Sequence, residues 1–122
     1  TKEVEVSGNV SVVVRFINLR EGEICYAQID GGQRIYAENG IITTTAQYGL
    51  PIQVCIKRVG SETDECAAST IEHCVDRVVH FTFDSLTATL TNDNTYSKET
   101  YTAALYYTSS IYTLCESKNM NH

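Results

Sequence analysis

Glu72, His73, Asp76, Arg77 and His80 are the densest group of ionisable side chains in the chain. His73, Asp76 and His80 stand at i, i+3 and i+7, which on a helix is one face. Two imidazoles and a carboxylate are ligands that a divalent metal accepts. A metal protein or hydrolase centred on these three residues is therefore one reading. The i, i+7 pair spans two helical turns, however, roughly 10 Å, and no fourth ligand is evident. The expected reading of these side chains is a solvated helix face whose charges neighbour one another at i, i+4.

Nucleophilic chemistry has less support. Cys74 follows His73, but adjacent helical residues point about 100° apart, so the thiol faces the core and the imidazole faces water. Asp30-Gly31-Gly32 is a turn and not a phosphate cradle. No pair of acids stands out. The chain is expected to be no enzyme and to carry no metal or cofactor.

Five cysteines, Cys25, Cys55, Cys66, Cys74 and Cys115, are many for a cytosolic chain of 122 residues and ordinary for a secreted one. None forms a C-x-x-C, which removes the usual zinc and redox patterns. All five are disulfide candidates. Two bridges and one spare thiol are expected, and that thiol is either buried or available to link a second chain. The first residue is Thr1 and no hydrophobic leader precedes it, as in a mature or trimmed secreted chain. Asn9-Val10-Ser11 fits the glycosylation acceptor pattern.

The net charge of −6 repels phosphate, and the basic residues are scattered (Lys2, Arg15, Arg20, Arg34, Lys57, Arg58, Arg77, Lys98, Lys118). Nucleic acid and anionic membranes are poor partners for such a surface. No apolar run reaches the roughly 20 residues a spanning helix needs, so membrane insertion is not expected.

The elements that must position any site are mostly strands. Residues 4–16 alternate, with Val4, Val6, Val10, Val12, Val14 and Phe16 on one face and a bend or bulge expected at Gly8. A meander follows over 23–29 and 33–38, around the Asp30-Gly31-Gly32 turn. Asn39-Gly40 favours a type I′ turn into 41–47. Residues 50–59 read as a further strand, with Pro51 at its start, and 60–65 as a polar loop. Ile71, Cys74, Val75, Val78 and Val79 then follow helical spacing, and Ser69 with Glu72 resembles a capping box. A helix is expected near 70–80. Alternation resumes at Phe81 and Phe83 and changes phase at Asp84-Ser85. The loop begun by Asn92 runs to about Lys98. The expected fold is a single domain, 1–122, mainly β: an antiparallel β-sandwich of about seven strands with one packed α-helix. A small barrel with an inserted helix is the runner-up.

The last strand, 101–115, holds four of the eight tyrosines. Its more apolar face carries Tyr101, Leu105, Tyr107, Ile111 and Cys115. The other presents Tyr106, Thr108, Ser110 and Tyr112. Tyrosine gives a large amphipathic contact area at low entropic cost, and hydroxyls adapt their hydrogen bonds. Tyr106, Tyr112, Thr108 and Ser110 are therefore the expected binding residues, for a protein epitope or a sugar stacked on a ring. The loops 60–65 and 92–99 are their natural neighbours.

"EVEVSGNVSVVV" (3–14) resembles the donor strand of chaperone–usher pilus subunits, and "ETYTAALYYTSS" is similar to their late strand. The resemblance covers about a fifth of the chain. It implies a pilus or surface-fibre subunit polymerising by strand exchange through 3–14. The helix and the five cysteines depart from that pattern. The leading expectation is a secreted, disulfide-stabilised binding module, a small virulence or host-interaction protein of effector or toxin-like kind. It would act by contact with a protein or glycan, as a monomer or an oligomer. Cell adhesion belongs to the same class of function.

Overall fold

Alternating valines decide the centre of the fold. In the computed structural model, which describes residues 8–74 and 76–93, strand β1 (Asn9–Ile17) turns Val10, Val12, Val14 and Phe16 inward and its intervening side chains outward. The expected irregularity lies at its start, where Gly8 has φ 105° and its carbonyl accepts from the Tyr48 amide. Seven more strands follow: β2 (Ile24–Ile29), β3 (Ile35–Tyr36), β4 (Ile41–Gln47), β5 (Pro51–Lys57), β6 (Glu65–Thr70), β7 (Val78–Asp84) and β8 (Thr89–Asn92).

The strands form two four-stranded sheets. Sheet A runs β4-β1-β7-β8 and sheet B runs β3-β2-β5-β6. All pairs are antiparallel except β1 with β7, which run parallel, with Val12 beside Val79 and Phe16 beside Phe83. That parallel pair departs from the expected all-antiparallel ladder. The two sheets share one core. Sheet A supplies the β1 residues with Ile42, Val79, Phe81 and Phe83, and sheet B supplies Cys25, Ala27, Ile52, Val54 and Ile56. The Phe16 and Phe83 rings meet at 5.5 Å, tilted by 59°. Each large side chain buried in this way contributes about 1.5–3 kcal/mol.

The packed α-helix near 70–80 is not formed, and no helix occurs among the described residues. The expected capping residue Ser69 belongs to β6, a strand that the sequence reading passed over, opposite Ile52 of β5. Glu72 to Arg77 link β6 to β7. His73, Asp76 and Arg77 take φ values of 59°, 57° and 63° there, which a right-handed helix cannot contain. The apolar residues that mimicked a helical stripe are buried separately. Ile71 extends the pairing beside β5, exchanging backbone bonds with Gly49 and Leu50, Cys74 is a buried disulfide cysteine, and Val79 belongs to β7.

The phase change at Asp84-Ser85 is a tight turn. The Ser85 amide donates to the Ile17 carbonyl, and the Ala88 amide to that of Asp84. Among the described residues no helix is long and apolar enough to cross a membrane.

Candidate binding face

In β2 the core takes Cys25 and Ala27, so Tyr26 between them must point out from sheet B. Register then builds a row across that sheet. Tyr26 lies opposite Tyr36 of β3 on one side and Cys55 of β5 on the other, and Cys55 lies opposite Cys66 of β6. Cys55 and Cys66 are bonded as a disulfide. Tyrosine, tyrosine and cystine thus line the outer face in one line.

Tyr26 is nonetheless only 3% exposed. The Tyr36 ring packs against it at 5.5 Å and 51°. The Arg34 guanidinium lies 4.2 Å from the centre of the Tyr26 ring, within cation–π range. The Tyr26 hydroxyl donates to Asp64 Oδ2 at 2.5 Å. This hydrogen bond to a carboxylate, aided by burial, raises the tyrosine pKa and keeps the phenol protonated. Tyr36 is 52% exposed and forms the open edge of the group.

Two turns hold these side chains in place. Asp30 and Gly31, both at positive φ, reverse the chain between β2 and β3. The loop from Arg58 to Asp64 brings the Asp64 carboxylate over β2. Inside that loop Lys57 Nζ and the Ser61 amide donate to the Ser61 and Arg58 carbonyls respectively, and Ser61 Oγ donates to that of Thr63. At its base Arg58 binds Glu65 through Nε at 2.8 Å, next in sequence to Asp64.

Beyond Tyr36 the chain leaves sheet B for sheet A. Asn39 and Gly40, at φ 56° and 75°, make the expected two-residue turn, closed by a pair of hydrogen bonds between Glu38 and Ile41. The edges of β3 and β4 separate there, leaving a cleft of about 450 Å³ lined by Ile35, Tyr36, Glu38, Asn39, Ile41, Ile42 and Thr43.

Tyr106, Tyr112, Thr108 and Ser110 lie outside the described residues, as does most of the 92–99 loop. His73, Asp76 and His80 are not gathered on one helix face. His73 and Asp76 sit in the β6–β7 connection, and His80 belongs to β7 opposite Val13 of β1. His73 pairs with neighbouring Glu72 at 3.5 Å. No group of three metal-ligating side chains occurs among the described residues.

The cysteines divide as follows. Cys55 and Cys66 are bridged, Cys74 is also disulfide-bonded, and Cys25 is a free, buried thiol. Cys115 lies outside the described residues. Burial first, and then the nearby Glu23 charge, push the Cys25 pKa up to about 11, so its thiolate is disfavoured. A Cys74–His73 dyad is excluded, because Cys74 is oxidised.

The sequence reading did not single out Tyr26, Arg34, Tyr36 or Asp64. The Tyr26–Tyr36 pair was within reach, because a hairpin at Asp30-Gly31-Gly32 sets its register. Asp64 depends on the path of an irregular loop, which no periodicity encodes. Comparison with protein-family models, with curated proteins and with solved structures finds no match.

Proposed function

We propose that the chain is a secreted, disulfide-stabilised binding module of the host-interaction kind that acts by contact and not by catalysis. The observation that carries this reading is the Tyr26–Arg34–Tyr36–Asp64 assembly. Two tyrosine rings, one of them half exposed, and a stacked guanidinium are held together on a sheet face. Tyrosine and arginine dominate interface hot spots, and a preorganised group loses little entropy on binding. The Cys55–Cys66 bridge is of a type that persists in oxidising compartments, which is compatible with an extracellular location.

Immobilised protein screened against extracellular proteins and glycans supplies the test. The double variant Arg34→Ala, Tyr36→Leu should lose at least about tenfold in affinity for any partner found, with unchanged circular dichroism. Unchanged affinity would remove this face from the function. If Tyr106→Ser with Tyr112→Ser abolished binding instead, the contact would belong to 101–115.

One feature favours a second reading, a fibre subunit assembled by strand exchange. β1 is a central strand, hydrogen-bonded on both edges, and its covalent link to the other described strands runs through residues 18–23. A chain lacking residues 1–14 should then refold when a peptide of that sequence is supplied, and polymerise when linked copies provide it. Failure of the peptide to restore the fold would make β1 intrinsic core and end the idea.

A further inference from the structure

We propose that the cleft between β3 and β4 binds one neutral saccharide unit, with the Tyr36 ring as its stacking platform. This inference rests on the reading of sheet B as a contact face and gives that face a ligand class.

The volume of about 450 Å³ lies within the range of small-ligand sites. Its lining separates into two kinds. Ile35, Ile41, Ile42 and Tyr36 are its apolar and aromatic members, whereas Glu38, Asn39 and Thr43 bring a carboxylate, an amide and a hydroxyl. A half-exposed aromatic residue beside residues that carry acceptors and donors is complementary to a pyranose. The sugar's C–H face stacks on a ring while its hydroxyl edge both gives and accepts hydrogen bonds.

Other ligand classes fit less well. An anion would meet the Glu38 carboxylate, and none of the residues that line the cleft is a cation. A metal ion would find a single carboxylate in the lining, too few hard ligands for a cage. A wholly apolar ligand would strip water from Glu38 and Asn39 without replacing their hydrogen bonds.

The site is also preformed. The type I′ turn at Asn39-Gly40 is fixed by its paired bonds, and the Gly40 carbonyl accepts from the Phe16 amide of β1 at 2.9 Å. The Tyr36 ring is braced by Tyr26. A ligand would not have to order the walls before binding.

The experiment uses the intact chain with methyl glycosides of neutral hexoses and a panel of neutral and sialylated oligosaccharides. Saturation-transfer NMR detects binding and calorimetry measures it. Millimolar binding of at least one neutral sugar is expected, weakened at least about tenfold by Tyr36→Leu and by Asn39→Gly. Asn39→Gly keeps the positive φ and removes only the amide, so loss of the fold does not confuse the result. Absence of neutral-sugar binding overturns the proposal, as does binding indifferent to both changes. A protein partner that needs Arg34 and Tyr36 but is not displaced by any sugar would overturn the saccharide assignment while leaving the contact reading standing. A sugar that binds through Tyr36 and Asn39 supports both.

Discussion

Arg58 Nη1 lies 2.9 Å from Glu23 Oε2, an ion pair in which the carboxylate side chain is only 4% exposed. The same guanidinium binds Glu65 and donates through Nη2 to the Ser85 carbonyl at 2.6 Å. One side chain therefore ties the β1–β2 loop, the β5–β6 loop and the β7–β8 turn together at one end of the molecule. Arg58→Ala would leave the nearly buried Glu23 carboxylate with only the longer Arg20 ion pair, at 3.4 Å, and removing the closer partner is the costly half of breaking such a pair. Thermal unfolding should fall by roughly 5 °C or more. Arg58→Lys should recover only part of this, because an ammonium cannot serve three directions with planar geometry.

Acid should act through the same contacts. The Arg20 amide first, and then Arg58, hold the Glu23 carboxyl below its ordinary value, and Arg58 does the same for Glu65. Carboxyls depressed in the folded state contribute stability that is fully present above the unfolded value of about 4.3. That stability is lost as pH falls through the lower folded values. Denaturant midpoints measured from pH 7 down to pH 2 should drop through this window. The gap between the native protein and Arg58→Ala should narrow over the same range.

Thiol chemistry gives a third check. Native protein should show one thiol, Cys25, alkylated slowly because it is buried and its pKa is about 11. Denaturant should make it react at once. Peptide mapping without reduction should recover Cys55 linked to Cys66 and a second bridge containing Cys74. Replacing Cys55 and Cys66 together by alanine should cost roughly 2–3 kcal/mol, as expected for closure of a short loop.

Gly40 occupies a left-handed conformation at the crossing between the sheets, with φ 75°. Gly40→Ala should cost about 1–2 kcal/mol from backbone strain alone, read as a shift in urea midpoint. The new methyl would meet the Phe16 carbonyl at 3.6 Å, an ordinary van der Waals contact and no clash. An unchanged midpoint would show that the turn is not held as described.

Strands β1, β4 and β5 were legible in the sequence because their apolar residues recur at every second position, and β2 because the Asp30-Gly31-Gly32 turn bounds it. β4 matches its expected bounds of 41–47. β6 was missed because "ECAAST" carries small side chains and little contrast between its faces. The false helix has a specific cause. Ile71, Cys74 and Val79 are buried at helical spacing by three unrelated contacts, and positive φ fell on His73, Asp76 and Arg77, where no glycine announced it. The candidate face was partly legible. Cys55 and Cys66 were disulfide candidates whose pairing rests on the β5–β6 register, whereas nothing local places Asp64 on Tyr26.

The parallel pairing of β1 with β7 sets the order of events during synthesis. In sheet B, β2 with β3 and β5 with β6 pair as neighbours in sequence, and β2 meets β5 across β3 and β4, but Val12 must wait for Val79 before its second edge is covered. Contacts so distant along the chain form slowly, because loop closure precedes any gain from pairing. Through that interval "VSVVVRF" emerges from the ribosome as a β-branched, weakly charged segment, the composition most prone to pair with another copy of itself. The strand that centres the finished core is thus, before it is paired, a segment prone to pair with another copy of itself.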